Sequence, residues 1–153
     1  FPEDDQSLFA PQRFSVPAVG PEDTWQIPNI FRHLSPSQKQ GIIAAYYTSA
    51  FHLDRNLGRI LDHLRATKQA DNTLIVYMAD HGYCLGHHGR FEKHCMYTPA
   101  LHVPLLMRFP GKIAPRQVVK KRTEHVDVAP TLLRLLNTER LPQTHGRDLF
   151  TDP

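Results

Sequence analysis

Asp80, His81 and Lys93 are the residues of this chain whose types and spacing could do chemistry: a carboxylate, an imidazole and an ammonium within one short stretch. Asp80 and His81 end the apolar, β-rich run Thr73-Leu-Ile-Val-Tyr-Met-Ala79, and Gly82 follows them. Such a run reads as an interior parallel strand whose C-terminal end delivers two metal ligands to a crevice, the place where open α/β sheets keep their chemistry. A carboxylate suits a hard cation, and a neutral imidazole extends the choice toward transition metals. From Asp80 to Lys93 the chain reads Asp-His-Gly-Tyr-Cys-Leu-Gly-His-His-Gly-Arg-Phe-Glu-Lys. Its glycines permit tight turns that fold distant residues back toward the strand end, so that a metal, an anion and a cationic side chain can meet there.

The elements that must position these residues follow from punctuation and periodicity. Residues 1–34 carry Pro2, Pro11, Pro17, Pro21 and Pro28 among scattered aromatics and acids, which predicts an irregular Pro-rich arm lying over a surface. Residues 35–153 form the remainder. Ser35-Pro36-Ser37-Gln38 is a helix start, with Ser as N-cap, Pro at the first helical position and Gln as capping-box partner. Ile42, Tyr46, Ala50, Leu53, Leu57, Ile60 and Leu64 follow at steps of three and four, an apolar stripe on a helix reaching about residue 68. Gly58 within it costs about 1 kcal/mol relative to Ala, and close packing against another backbone would explain its use. After a turn at Ala70-Asp71-Asn72 comes the strand already described. A second strand is expected from Val103 to Phe109 with Pro104 near its start, a short edge strand from Val118 to Thr123, and a short helix from Asp127, as its cap, to Leu136.

Composition narrows the classes. The chain has 153 residues, 41% of them hydrophobic, enough for one modest core. Its net charge of +3 is mild, and the one tight basic cluster, Lys120-Lys121-Arg122, lacks the interleaved aromatics of a single-strand binder, so no nucleic-acid partner is expected. No apolar run approaches a membrane span, so no membrane partner is expected either. Phe1 stands where Met would begin a chain, and the expectation is that the true N-terminus lies upstream or was processed. Cys84 and Cys95 are too few for a disulfide framework, have no CxxC spacing and do not fix the compartment.

Beyond these residues, the chain resembles the sulfatase family of the alkaline phosphatase superfamily, in the Asp-His variant that includes iduronate sulfatase-like, choline sulfatase-like and phosphonate monoester hydrolase-like enzymes. The likeness runs through Tyr46-Tyr47-Thr48-Ser49, Leu53-Asp54, Gly58-Arg59, Asp80-His81-Gly82, Leu85-Gly86, His88-Gly89, Lys93, His102-Val103-Pro104-Leu105 and Pro110-Gly111. It continues in Val126-Asp127, Pro130-Thr131-Leu132-Leu133 and Gly146-Arg147-Asp148-Leu149. A lone Asp-His-Gly is a weak signal, whereas this series in order from residue 41 onward is a strong one.

The resemblance implies an α/β fold, a partial alkaline phosphatase-like sheet with flanking helices, of which this chain is the C-terminal portion of the catalytic domain. It implies that Asp80 and His81 are two ligands of one divalent cation, calcium first and magnesium or manganese next, and that Lys93 binds a sulfate oxygen and the charge developing on it. His94, next to Lys93, is placed at the mouth of the site as a weaker candidate for substrate binding. The substrate class implied is a small-molecule or carbohydrate sulfate ester, with phosphonate or phosphate ester hydrolysis the alternative. Sulfatases draw a formylglycine nucleophile from a Cys/Ser-x-Pro/Ala-x-Arg motif, and the metal site is completed by aspartates of an early strand. Neither Cys84-Leu-Gly-His-His nor Cys95-Met-Tyr-Thr-Pro fits that motif, no serine does, and the paired aspartates are missing. The chain by itself is therefore expected to be inactive, a non-catalytic truncated form or a partner-dependent half that oligomerises or associates with the missing part. Family members are commonly secreted, periplasmic or lysosomal, but no address is written in this chain.

Plainer roles are expected for the neighbours. His87, His88 and His94 with the two cysteines lack the spacing of a structural zinc site. Arg90 and Glu92 read as a solvated pair flanking Phe91, and His102 and His125 as loop-stabilising residues.

Overall fold

Ser35 begins the dominant element as its sequence directs. Its Oγ accepts from the Gln38 amide at 3.2 Å, and Gln38 Oε1 accepts from the Ser35 amide at 2.8 Å. With Pro36 at the first helical position, this reciprocal cap satisfies two donors that a helix start leaves without partners. The structure, a computed structural model, describes residues 3–139 and 142–151; Phe1 and Pro2 of the predicted arm lie outside them. Within it α1 is Glu3–Ser7, α2 Pro21–Thr24, α3 Asn29–Arg32, α4 Pro36–Ala66, α5 Thr98–Leu101 and α6 Val128–Leu135. The strands β1 (Ile75–Met78) and β2 (Leu105–Arg108) pair in one small sheet. None of the described helices is long and apolar enough to cross a membrane.

Two compact units emerge, Phe1–Ala70 with Tyr77–Leu105, and Asp71–Val76 with Leu106–Pro153. In the first, the Pro-rich segment contains the short helices α1 to α3 and is laid on α4. Phe9 and Phe14 pack on Tyr47 at ring distances of 6.1 and 4.9 Å, and Gln40 Nε2 donates to the Phe14 carbonyl at 2.8 Å. Asp5, 2% exposed, takes a hydrogen bond of 2.5 Å from Arg55 Nη1 and faces His52 Nδ1 at 3.2 Å. A carboxylate so deeply covered requires such partners.

The face of α4 that is buried is not the one its periodicity suggested. Ile43, Ala44 and Thr48 are buried, whereas Tyr46, Leu53 and Ile60 of the predicted stripe remain exposed. Among the described residues, α1 and the 3-10 turn Pro11–Arg13 pack on α4, and these cover a different side. Gly58 likewise departs from expectation: a Cβ there would meet nothing within 4 Å, so no close backbone approach accounts for it.

The strands are shorter than their apolar runs, and β1 is half-buried rather than interior, because an interior strand needs a neighbour on each side and the sheet has two strands. Val118 to Thr123, expected as an edge strand, is irregular, and Val118 is exposed. Its apolar character finds no ladder to join among the described residues.

The second unit closes around α6. Asp127 does not cap that helix with its side chain; its carboxylate accepts from the Glu124 amide at 2.9 Å and the Arg147 amide at 2.8 Å. Burial pushes the Asp127 carboxyl up, and these two backbone donors outweigh it, leaving it below the usual carboxylate range. Thr131, wholly buried, donates to the Asp127 carbonyl at 2.7 Å and accepts from the Leu149 amide at 3.0 Å. A Cβ on Gly146 would sit 1.9 Å from the Val126 carbonyl oxygen, so only glycine lets the two backbones approach. Asp148 pairs with Arg134, whose guanidinium lies 5.6 Å from the Phe150 ring. The Gly146-Arg147-Asp148-Leu149 segment is thus a clasp on the start and the flank of α6.

Candidate functional site

The loop after β1 folds back on itself through backbone pairing. The Gly82 amide donates to the Ala100 carbonyl at 2.7 Å, Cys84 to Glu92 at 3.0 Å and Gly86 to Arg90 at 2.8 Å. Gly82 permits the first contact, since a Cβ there would sit 2.0 Å from the Pro99 carbonyl oxygen. Tyr83 reaches across to donate to the Phe91 carbonyl at 2.5 Å, and Phe91 is buried. Residues 84–86 and 90–92 are therefore two limbs of one hairpin-like turn, and Lys93 emerges next to the strand end.

Lys93 Nζ lies 2.5 Å from His81 Nε2. His81 Nδ1 lies 2.9 Å from the Gly82 carbonyl, which only accepts, so the ring proton belongs on Nδ1 and Nε2 presents its lone pair. Asp80 Oδ1 accepts from the His81 amide at 2.9 Å, and Oδ2 lies 3.5 Å from His81 Nε2. The Asp80 side chain is 86% exposed and that of His81 36%, so the trio is open to solvent. Asp80, His81 and Lys93 are thus brought together, as their order in the chain suggested. His94 is exposed and makes no hydrogen bond or ion pair among the described residues, and it stands apart from the trio's contacts.

As a cation site this arrangement supplies two donors of suitable kind, a carboxylate oxygen and an imidazole nitrogen whose lone pair faces Lys93 Nζ. No group of three or more His, Cys, Asp or Glu side chains assembles among the described residues. The pair fits part of a divalent-metal coordination sphere and needs further ligands to fill it.

The same loop carries, through His88, a polar junction the sequence did not announce. His88 Nδ1 lies 2.7 Å from Asp23 Oδ2, and the ring stacks on Tyr97 at 3.8 Å. Tyr97 donates to Asp23 Oδ1 at 3.1 Å. Asp23 is held below the usual carboxylate range, chiefly by His88, while burial raises the Tyr97 phenol. His88 sits at φ 55°, a left-handed conformation uncommon for a residue with a side chain, and the junction keeps it there. Arg90 and Glu92, expected as a solvated pair, are half-buried with side chains 16% and 23% exposed; they bond at 2.5 Å, and Arg90 Nη2 also donates to the Gln26 carbonyl at 2.8 Å. An Asp in a Pro-rich arm carries no sign that it will meet a histidine so far along the chain.

Comparison with known proteins supplies the family. The family model "Sulfatase" matches residues 8–138. N-acetylglucosamine-6-O-sulfatase of Bacteroides thetaiotaomicron is 36% identical over 104 residues, 68% of this chain and 19% of that protein. Phosphonate monoester hydrolase from Silicibacter pomeroyi superposes with a TM-score of 0.84 at 32% identity, covering 97% of this chain and 33% of that one. A structure solved with its substrate D-glucosamine-2-N,6-O-disulfate matches with a TM-score of 0.69 at 34% identity over 73% of this chain and 23% of its own. The chain therefore spans a third or less of each of these proteins, and its helices with their small sheet are part of a fold that they share. With the family model extending over most of its length, this chain belongs to the sulfatase family.

Proposed function

We propose that this chain is the C-terminal portion of the catalytic domain of a sulfuric ester hydrolase, in which Asp80 and His81 are two ligands of a divalent cation and Lys93 is the cationic group facing the sulfate. The observation that carries this is the approach of Lys93 Nζ to His81 Nε2 at 2.5 Å, beside the Asp80 carboxylate, on a solvent-open edge. Calcium is the first choice of cation, with magnesium or manganese next, since a carboxylate and one imidazole favour a hard ion. When bound, it supplies Lewis acidity toward the sulfate and stabilises an ionised nucleophile.

The chain's own residues orient and neutralise. The Gly82 carbonyl holds the His81 tautomer, and Nε2 is presented without a conformational search. Lys93 donates toward that lone pair, and the same ammonium, turned to an ester oxygen, offsets charge that grows there as the ester bond breaks. His94, exposed and next in sequence to Lys93, is the substrate contact of lesser weight in this reading. The nucleophile, a formylglycine in this family, and the remaining carboxylates come from sequence outside these 153 residues, so this chain alone has no turnover. Similarity to an N-acetylglucosamine-6-O-sulfatase and to an enzyme solved with a sulfated glucosamine supports a carbohydrate sulfate ester as substrate.

Likeness over 97% of the chain to a phosphonate monoester hydrolase favours one second possibility, since a carboxylate, an imidazole and a lysine serve a phosphoryl group equally well. Steady-state kinetics of the longer enzyme containing this chain, on an aryl sulfate and an aryl phosphonate monoester, distinguishes the two. In either case Lys93→Ala should slow turnover by roughly a hundred- to a thousandfold with metal content retained, and Asp80→Ala should lose metal. Near-normal turnover of Lys93→Ala would remove Lys93 from the site.

A further inference from the structure

The two cysteines are separated in sequence by the candidate loop and joined in space by its fold. Cys84 Sγ and Cys95 Sγ lie 3.4 Å apart. Cys84 is fully buried and Cys95 half-buried, and both thiols are free. The backbone fixes this meeting: the Cys84 amide donates to the Glu92 carbonyl at 3.0 Å, and the Cys95 amide to the Lys93 carbonyl at 2.8 Å. A disulfide bond is about 2.0 Å long, so the sulfurs need approach by only about 1.4 Å, within reach of small side-chain rotations.

We propose that Cys84 and Cys95 are a thiol–disulfide pair, oxidised by a small-molecule disulfide of the glutathione class to a bond that closes the loop around Lys93. Cys95 reacts first, because it is the more accessible, and burial together with a hydrogen bond to Cys95 pushes the Cys84 thiol up to about 12. The Cys95 thiolate attacks one sulfur of glutathione disulfide and expels a glutathione thiolate. The Cys84 thiolate then attacks Cys95 Sγ in the mixed disulfide and expels the second glutathione thiolate. The two protons lost by the protein thiols pass to the two glutathione thiolates, so the protein loses two hydrogens and the oxidant is reduced to two thiols. The bridge ties the residue three beyond His81 to the residue two beyond Lys93, pinning both ends of the loop. It stands whatever ester the site acts on.

The test is oxidation of the full chain with glutathione disulfide, followed by alkylation of remaining thiols and intact mass. Trypsin cuts after Arg90 and Lys93, so the bridge appears as peptides 69–90 and 94–108 joined until reduced. The bridge should form within one chain at least about tenfold faster in buffer than in concentrated urea, since the fold supplies the effective concentration. Cys84→Ala should stop at a single glutathione on Cys95, and Cys95→Ser should leave Cys84 largely unmodified until urea is added. A bridge forming equally fast in urea, a product carrying only glutathione, or a disulfide between chains would each overturn the proposal. So would a Cys95→Ser chain whose Cys84 reacts as readily in buffer as in urea.

Discussion

His88 and Asp23 meet at 2.7 Å across 65 residues of chain, and their contact ties the Pro-rich segment to the loop that carries Lys93. Asp23 is held below its ordinary value of 3.8, mainly by the His88 hydrogen bond, with the Tyr97 hydroxyl assisting and burial opposing. A carboxylate depressed in the folded state adds stability above its unfolded pKa and loses it as pH falls through the folded value. The junction should therefore be intact from neutral pH down to about 4 and weaken below that. Protection factors of residues 84–97, exchange rates divided into the intrinsic rate at the same pH, should fall in that acid window, and Asp23→Asn should show lowered protection already at neutral pH. Exchange of these residues that is the same in both proteins at every pH would mean that the junction does not order the loop.

Thr131 makes a separate prediction for the second unit. Its hydroxyl has no exposure and joins the Asp127 carbonyl to the Leu149 amide. Thr131→Val keeps the shape and strands the Leu149 donor, which should cost about 1–3 kcal/mol in urea unfolding. A loss below a few tenths of that range would show that water replaces the hydroxyl.

Gly58 should be improvable. Its Cβ position is open and it lies inside α4, so Gly58→Ala should raise stability by about 0.5–1 kcal/mol. Chemical denaturation of the two chains measures it. A decrease would mean that another surface, such as a second copy of this chain, rests on that part of the helix.

On the proposed reading, the chain on its own should bind calcium or manganese weakly and hydrolyse no aryl sulfate, since no group of three or more candidate metal-ligating side chains comes together among the described residues. Titration calorimetry and a chromogenic assay test both. Exposed Leu53, Ile60, Trp25 and Leu106 and the edges of a two-stranded sheet should also make it self-associate, visible by light scattering as a mass that rises with concentration. Robust turnover by a stable monomer would contradict the partial-domain account.

What was legible in the sequence was local or serial. The Ser35 to Gln38 cap could be read because its partners are three residues apart, and the meeting of Asp80, His81 and Lys93 because one glycine-rich loop joins them. Features set by partners far along the chain were not legible. Val118 to Thr123 has strand composition and no strand to pair with, and the stripe on α4 is real as a pattern while the arm covers another side. Asp127 looked like a helix cap because it precedes Val128, yet its acceptors serve Glu124 and Arg147. Asp23 gave no sign of His88, since neither residue type specifies so distant a partner.

The placement of the His81 proton has a further consequence. With Nδ1 engaged by the Gly82 carbonyl, the ring has a single lone pair to give, and Lys93 already points at it. A cation arriving at Nε2 and the lysine ammonium are thus rivals for one acceptor, and the two binding events are linked with negative sign. In the proposed site, Lys93→Ala should therefore tighten cation binding at His81 even as it slows turnover, so the lysine would serve the reaction against the affinity of its neighbour.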